Sequence, residues 1–316
     1  MKIVYFGTPD FAVESLDAIM QSPRHEVVAV VTVPDRQAGR GQKVVYSPVK
    51  QYALDHQLPL LQPEKLRDPQ FLDQLAACQA DMFVVVAFRM LPEAVWNMPS
   101  HGTFNLHASL LPRYRGAAPI NHAIINGDTI TGVTTFLLNH QIDEGQILLQ
   151  AETPITPDDN AGSLHDRLAA MGRTLVVNTL DGIEDGSLTP HPQEGTPTTA
   201  PKIFKDDCFI DFHRPSQQVV DFIRGLSPYP AALLTLINPQ GEEVLFKIYE
   251  ATAEKALKTT PGELFCDQKR VLKIATADGF INVLSLQMSG KRKNSIEDFL
   301  RGNKLIDWKL KVYKNS

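Results

Sequence analysis

The first half of the chain alternates short apolar runs with amphipathic stretches. Residues 2–6 form the first apolar run, and the segment after it places four apolar residues on one helical face: Phe11, Ala12, Leu16 and Ile19. Further apolar runs follow at residues 27–31, 82–88 and 103–106, with helix-like segments such as 71–77 between them. This alternation predicts a Rossmann-like α/β domain with a doubly wound, mainly parallel sheet. In such sheets ligands bind beyond the carboxyl ends of the strands.

The second half of the chain has a different pattern. One helical stretch at residues 216–226 precedes four β-like runs, at residues 232–237, 244–248, 271–275 and 280–286. Asn238-Pro-Gln-Gly241 and Asp278-Gly279 have the composition of hairpin turns. Short strands separated by turns predict a smaller, β-rich domain, either a small barrel or an open antiparallel sheet.

Asn160 and Ser163 are candidate N-caps of a helix that we expect to close the first domain. Residues 185–201 are rich in Gly, Pro, Ser and Thr, which is the composition of an exposed linker. We therefore divide the chain into a first domain at residues 1–202 and a second domain at residues 203–316.

The composition is that of an ordinary globular protein, with 316 residues, 43% of them hydrophobic, and a net charge of -5. Its apolar runs are shorter than the roughly 20 residues that span a bilayer, and the N-terminal segment resembles neither a signal nor a transit peptide. We expect a cytoplasmic protein with no membrane partner. Because Cys78, Cys208 and Cys266 are widely spaced, neither disulfides nor a metal site is expected.

The segment from Phe104 to Pro119 carries the candidate chemistry, together with Asp143 further along the chain. If residues 104–107 end a strand, period-two alternation puts Asn105 and His107 side by side on one face. They are then either a polar strand end that neighbouring backbone satisfies or a pair of groups that converge on a ligand.

The same residues resemble the formyltransferase family that uses 10-formyltetrahydrofolate. In that family an Asn-x-His strand end precedes Ser-Leu-Leu-Pro and a distant Asp-x-Gly, and all three elements are present here: Asn105 with His107, residues 109–112, and Asp143 with Gly145. The resemblance extends through residues 115–119 and 132–135. It implies that 10-formyltetrahydrofolate is the formyl donor and that the second domain is an OB-like barrel.

Formyl transfer to an amine passes through a tetrahedral intermediate with negative charge on the former carbonyl oxygen. The resemblance gives Asn105 and His107 the role of donors to that oxyanion, and Asp143 the role of passing protons between the two nitrogens. By the same resemblance, Ser109, Leu110, Leu111 and Pro112 form the loop around the folate. Phe88-Arg89 stands where the family often has Tyr-Gly.

The acceptor is indicated by the basic, glycine-rich loop at residues 34–43 and the Ser47-Pro-Val-Lys50 after it, which resemble the formyltransferases that act on methionyl-tRNA. We expect charged initiator methionyl-tRNA as the partner. The C-terminal stretch from residue 288 has eight Lys or Arg and three acids, which favours a polyanionic partner. The residues expected to bind the tRNA lie in the loop, after the linker and in this stretch: Arg40, Lys43, Lys202, Lys205, Lys291, Arg292 and Lys293.

There are three alternative functions. One differs in the acceptor, and two belong to other classes of protein. A formyltransferase acting on a nucleotide-linked amino sugar would share Asn105, His107 and Asp143. A nicotinamide-dependent oxidoreductase is disfavoured, because Phe6-Gly-Thr-Pro-Asp10 lacks the Gly-x-Gly-x-x-Gly pattern. An RNA-binding protein without catalytic activity would need the basic surface but not the three polar residues. For the methionyl-tRNA interpretation we expect a monomer.

Overall fold

The computed structural model describes residues 1–38 and 43–311, with residues 36–38 and 43 described by their backbone alone. The chain divides into two compact units. The first comprises Met1–Pro119, Ile130–Pro154 and His165–Ala200. The second comprises Ile120–Thr129, Ile155–Leu164 and the chain from Pro201 onward.

The first unit is built on strands that run from residue 2 to residue 200. In chain order they are β1 Lys2–Gly7, β2 Glu26–Val31, β3 Arg36–Ala38, β4 Lys43–Val45, β5 Leu60–Leu61, β6 Met82–Val86, β7 Thr103–His107, β8 Arg115–Gly116, β9 Ile130–Leu137, β10 Ile147–Pro154 and β11 Thr199–Ala200. The main sheet has seven strands in the order β10-β9-β7-β6-β1-β2-β5. From β7 to β5 all pairs are parallel, which confirms the predicted α/β class.

The helices up to residue 184 are α1 Asp10–Gln21, α2 Pro48–Asp55, α3 Pro69–Ala77, α4 Glu93–Trp96, α5 Pro119–Ile125 and α6 Ala161–Glu184. The motif Ser47-Pro-Val-Lys50 is the start of α2, where the Ser47 hydroxyl accepts from the Lys50 N–H at 3.1 Å and Pro48 takes the first helical position. Both are favourable residues for a helix N-terminus.

The central strands are apolar and buried throughout. Val4, Phe6, Phe83 and Val85 pack with Phe71 and Leu75 of α3 in one core cluster of this unit. Strands that are buried on both faces read as continuous apolar runs, and this is why β1 and β6 could be predicted from the sequence. The chain proceeds from β1 to β2 on one side and to β6 and β7 on the other, so the carboxyl ends of β1 and β6 flank the point where the strand order reverses.

A hairpin of β9 and β10 extends the sheet beyond β7, and the sequence pattern did not predict it. β9 runs antiparallel to both of its neighbours. Its register places Leu137 beside Phe104 and Thr134 beside His107. The loop that follows Leu137 therefore leaves the sheet three residues before the end of β7.

The second unit contains an antiparallel, barrel-like sheet. Its elements from residue 205 onward are a 3-10 helix Lys205–Cys208, α7 Ser216–Leu226, β12 Ala232–Ile237, β13 Glu243–Lys255, β14 Leu264–Cys266, β15 Leu272–Thr276, β16 Gly279–Met288, β17 Asn294–Ser295, α8 Ile296–Gly302 and β18 Lys309–Leu310. The strand order is β14-β15-β16-β13-β12-β18, and β17 pairs with β16. The predicted β-rich second domain is confirmed.

Helix α7 covers the core of this sheet. Val219, Ile223 and Leu226 recur at helical spacing and are buried with Leu234 and Phe246 of the strands. The helix spans the predicted residues 216–226, and β12 spans the predicted residues 232–237. Among the described residues, no helix combines the length and apolar character that crossing a membrane requires.

Most of residues 185–201 are exposed, as their composition predicts, but the segment also pairs with the first unit. Its last residues form β11, which pairs in parallel with β8, and Ala200 is completely buried. His191 forms an isolated antiparallel bridge with Ile147. The segment is therefore exposed over most of its length and is also held to the first unit by backbone hydrogen bonds.

Candidate active site

Asn105 and His107 project from the same face of β7, because they are two residues apart on one strand. Asn105 is half-buried, and its side-chain amide makes no hydrogen bond to any residue within the described ranges. His107 is buried, with its side chain 7% exposed. The strand end thus presents one amide that is free to donate and one ring that the protein surrounds.

The ring of His107 is oriented by a backbone carbonyl. Its Nε2 lies 2.8 Å from the Tyr114 carbonyl oxygen, which can only accept. Nε2 therefore carries a hydrogen, and Nδ1 is the nitrogen that faces the site. Nδ1 can donate to an oxyanion only when the ring carries a second proton, and the Asp143 carboxylate lies 3.9 Å from it.

Asp143 lies in the loop between β9 and β10, in the left-handed region at φ 54°. Its Oδ2 accepts from the Gly116 N–H at 2.8 Å and is also the oxygen nearest to His107. No residue in the described part of the chain bonds to Oδ1. The carboxylate is thus fixed through one oxygen, and the other remains available for proton transfer.

The two glycines next to these groups are required by close approach. A Cβ on Gly145 would lie 1.6 Å from the Leu137 carbonyl oxygen, so only glycine allows the loop to fold back against β9. Gly116 has φ 123°, and a Cβ there would lie 2.6 Å from the Ala200 oxygen. The Asp-x-Gly spacing therefore reflects a packing requirement as well as chemistry.

Gln193 bonds to this loop from the segment that the composition assigned to a linker. Its Nε2 donates to the carbonyl oxygens of Asp143 and Gly145 at 2.8 and 2.9 Å. Its Oε1 accepts from the Arg115 guanidinium, which also pairs with Glu144 at 2.9 Å. Sequence reasoning missed Gln193, since its partners are remote in the sequence and the motif resemblance ends before it.

The loop at residues 109–112 is held by hydrogen bonds to side chains of β9 and β10. The buried Thr134 hydroxyl donates to the Ser109 carbonyl at 2.6 Å and accepts from the Leu111 N–H at 3.2 Å and from Gln150 Nε2 at 2.9 Å. The Ser109 hydroxyl donates to the Arg113 carbonyl at 2.6 Å. Ser109, Leu111 and Pro112 are buried, whereas Leu110 is half-buried, so the loop presents Leu110 and its backbone to a ligand.

The residues predicted to bind tRNA are scattered over both units. Arg40 lies outside the described residues, and of Lys43 only the backbone is described. The other predicted residues are exposed in the second unit: Lys202, Lys205, Lys291, Arg292 and Lys293. Lys293 Nζ lies 3.1 Å from Glu250 and 4.7 Å from the centre of the Tyr249 ring.

An ion pair joins the start of the predicted tRNA loop to α2. Lys50 Nζ donates to both oxygens of Asp35, at 2.8 and 2.6 Å, and Gln62 donates to Asp35 at 3.0 Å. Lys50 and Gln62 together hold the pKa of the Asp35 carboxyl below its usual value. Tyr46 lies against Lys50, 4.0 Å from Nζ to the ring centre. The start of this loop is thus fixed by Lys50 and Gln62, which lie outside it.

One cluster among the described residues has the composition of a metal site: His25, Asp181 and Glu184. Arg24 pairs with both of its carboxylates, at 2.8 Å each. The Met1 ammonium lies 2.9 Å from Glu184, so the two negative charges are already paired with two cations. The three cysteines are free thiols, and burial raises the pKa of each.

Comparison with known proteins gives matches over nearly the whole chain. The family model described as Formyl transferase matches residues 1–180, and the model of the formyl transferase C-terminal domain matches residues 202–304. Proteins named methionyl-tRNA formyltransferase from Bacteroides fragilis and Flavobacterium johnsoniae are 54% and 49% identical to the chain. Each alignment covers 99% of this chain, with 98% and 99% of those proteins respectively.

Solved structures resemble the chain at lower identity. An N-formyltransferase from Helicobacter canadensis, in complex with folinic acid and dTDP-3-aminofucose, is 20% identical with a TM-score of 0.61, covering 93% of this chain and 100% of that chain. HypX from Aquifex aeolicus, in complex with tetrahydrofolic acid, is 19% identical with a TM-score of 0.62. That match covers 95% of this chain and 47% of HypX. Both show a shared fold.

The fold and the two matched family models define a formyl transferase, with a Rossmann-like unit and a barrel-like unit. The relatives at about half identity refine that class. The chain belongs to the methionyl-tRNA formyltransferase family.

Replacing Thr134 tests how the loop at residues 109–112 is held. Thr134→Val removes a hydroxyl that makes three hydrogen bonds in the interior, and we expect the free energy of unfolding to fall by about 1–3 kcal/mol. Thr131 is buried on the same strand, and its hydroxyl makes no hydrogen bond to the residues that the structure covers, so Thr131→Val is the matched control. Urea unfolding that shows an equal decrease for both variants would contradict this role of Thr134.

Proposed function

We propose that the chain transfers the formyl group of 10-formyltetrahydrofolate to the free amino group of methionine on charged initiator tRNA. The observation that carries the proposal is the convergence of Asn105, His107 and Asp143, with the Asp143 carboxylate 3.9 Å from the His107 ring. Membership in the methionyl-tRNA formyltransferase family supports the acceptor.

The first step is attack of the methionine nitrogen on the formyl carbon, which places negative charge on the formyl oxygen. The Asn105 amide, half-buried beside His107, is a preorganised donor to that oxygen. His107 Nδ1 is the second donor, since Nε2 is committed to the Tyr114 carbonyl. Both donors stand on one strand, so their spacing is set by the β geometry.

The second step moves protons. The attacking nitrogen loses a proton and the folate nitrogen gains one as the bond between the folate nitrogen and the formyl carbon breaks. We assign this transfer to Asp143, whose Oδ1 is the oxygen that the Gly116 N–H leaves available. The loop at residues 109–112, with the half-buried Leu110, is assigned to the folate.

The acceptor is best tested by offering alternatives to the same protein. Purified protein with 10-formyltetrahydrofolate should formylate charged initiator methionyl-tRNA and leave a nucleotide-linked amino sugar unchanged. The sugar is disfavoured because a sugar-bound neighbour shares only 20% identity, whereas relatives named for methionyl-tRNA share about half of their residues. Mass spectrometry of each product decides between them, and a formylated sugar as the preferred product would refute the proposed acceptor.

Asp143→Asn tests the proton-transfer role. The amide can still accept from the Gly116 N–H, but it cannot take up a proton, so single-turnover transfer should fall on the order of 100-fold to 10,000-fold. Binding of folinic acid should survive and serves as the control for folding. A parental single-turnover rate in Asp143→Asn would show that the assignment is wrong.

The exposed basic turn between β16 and β17 is proposed to contact tRNA phosphates. Lys291 and Arg292 are both exposed there, whereas Lys293 is engaged with Glu250 and Tyr249. Phosphate binding by cationic side chains releases counterions, so the number of phosphates bound is given by the dependence of the binding constant on salt. The proposed division of labour is a folate site within residues 1–202 and a tRNA-binding surface that includes residues 203–316.

Charge reversal at that turn tests its role in tRNA binding. Lys291→Glu with Arg292→Glu should weaken tRNA binding and make its salt dependence shallower, by about 0.9 in the logarithmic slope for each phosphate that the variant no longer neutralises. Lys269→Glu with Arg270→Glu makes the same charge change at the exposed turn between β14 and β15, and should weaken binding much less. Equal effects of both pairs across a salt series would show that overall charge, rather than this turn, determines affinity.

A further inference from the structure

Gln193 lies in the candidate site, although neither the composition of the segment that carries it nor the family motif predicts it there. We propose that Gln193 is a positioning residue for the reaction, which holds the β9–β10 loop so that the Asp143 carboxylate faces His107. The inference rests on the proton-transfer role proposed for Asp143. It concerns residues of the first unit alone.

The hydrogen bonds of Gln193 use its whole amide. Oε1 accepts from Arg115 Nε at 3.2 Å and Nη2 at 2.7 Å, and Nε2 donates to the carbonyl oxygens of Asp143 and Gly145 at 2.8 and 2.9 Å. A guanidinium only donates and a carbonyl only accepts, so this network allows one orientation of the amide. Gln193 thus joins Arg115 to the loop in a fixed geometry.

The loop needs such a connection because of where it leaves the sheet. Leu137, the last residue of β9, lies beside Phe104, three residues before His107. Three residues of a strand span about 10 Å, so the loop must run back over that distance to bring Asp143 to the His107 ring. It does so with Asp143 in the left-handed region and with Gly145 against the Leu137 carbonyl. The Gln193 amide bonds to the backbone on both sides of this turn.

The segment that carries Gln193 also fixes the groups that Asp143 and His107 contact. Thr198 accepts the Arg115 N–H at 2.9 Å through its carbonyl and the Tyr114 N–H at 2.9 Å through its hydroxyl. The Tyr114 carbonyl orients His107, and the neighbouring Gly116 N–H orients Asp143. Residues 193–200 therefore position the backbone partners of both functional side chains, and Gln193 is the part that bonds to the Asp143 loop directly.

Removal of the Gln193 amide should appear in the rate. Gln193 acts on the reacting atoms only through Asp143, and a misplacement of about 1 Å can cost on the order of 100-fold in rate while binding survives. We expect Gln193→Ala to slow single-turnover transfer about 10-fold to 100-fold with little change in the KM for methionyl-tRNA or in folinic acid binding. Such a separation of rate from binding is not expected of a general loss of structure.

A second variant keeps the test informative if Gln193→Ala is unstable. Gln193→Glu retains the size of the side chain and an acceptor for Arg115, but it replaces the NH2 group that donates both hydrogen bonds with an oxygen that repels the two carbonyls. It should slow transfer as Gln193→Ala does. Glu194 is the next residue and is exposed, so Glu194→Ala is the control and should keep the parental rate.

A double-mutant cycle distinguishes positioning from an independent contribution. If Gln193 acts through Asp143, Gln193→Ala should have no further effect on the rate of Asp143→Asn. If the rate decrease in the double variant equals the product of the two single decreases, the positioning role is refuted. A parental rate in Gln193→Glu would also refute it. A parental rate in Asp143→Asn would instead refute the function proposed for Asp143, so the two failures are distinguishable. Thermal unfolding of each variant is the control for folding.

Discussion

The hydrogen bond between His107 Nε2 and the Tyr114 carbonyl, at 2.8 Å, is the interaction on which the rest of the site depends. It joins the end of β7 to the far end of the following loop, so residues 109–112 between them form a closed turn. It also decides which ring nitrogen can take part in chemistry, because a carbonyl admits only a protonated nitrogen. Nδ1 is left for the reaction, and Asp143 is the group beside it.

Backbone groups rather than side chains hold most of this arrangement. The Asp143 carboxylate is fixed by a peptide N–H, the His107 ring by a carbonyl, and the loop after Ser109 by Thr134 through two peptide groups. Backbone partners are set by strand pairing and turn geometry. A site of this kind places its polar groups accurately but depends on segments that lie far away in the sequence, such as β11.

These interactions explain which parts of the structure the sequence could predict. Helix α7 and strand β12 were predicted at their observed bounds, because amphipathic spacing and flanking turns are local signals. Strand β13 continues to Lys255, beyond the predicted residue 248, because its second half is exposed and lacks an apolar run. Most of residues 185–201 are exposed, as expected of a linker, but the bonds of Gln193 to residues 50 and 78 positions away could not be predicted, because they leave no local pattern.

Counting charges along the sequence overstates the basic character of the second unit. Several of its cations pair with acids on neighbouring elements, including Lys293 with Glu250 and Arg301 with Asp298. These pairs are exposed, and ion pairs of this kind contribute only about 0–1 kcal/mol to stability. A tRNA phosphate can therefore replace the carboxylate as the partner of the cation at little cost. The displaced carboxylate nevertheless stays nearby and repels the phosphate. For that reason the cations at the β16–β17 turn that have no acidic partner among the described residues, Lys291 and Arg292, should contribute more to tRNA affinity than Lys293 does.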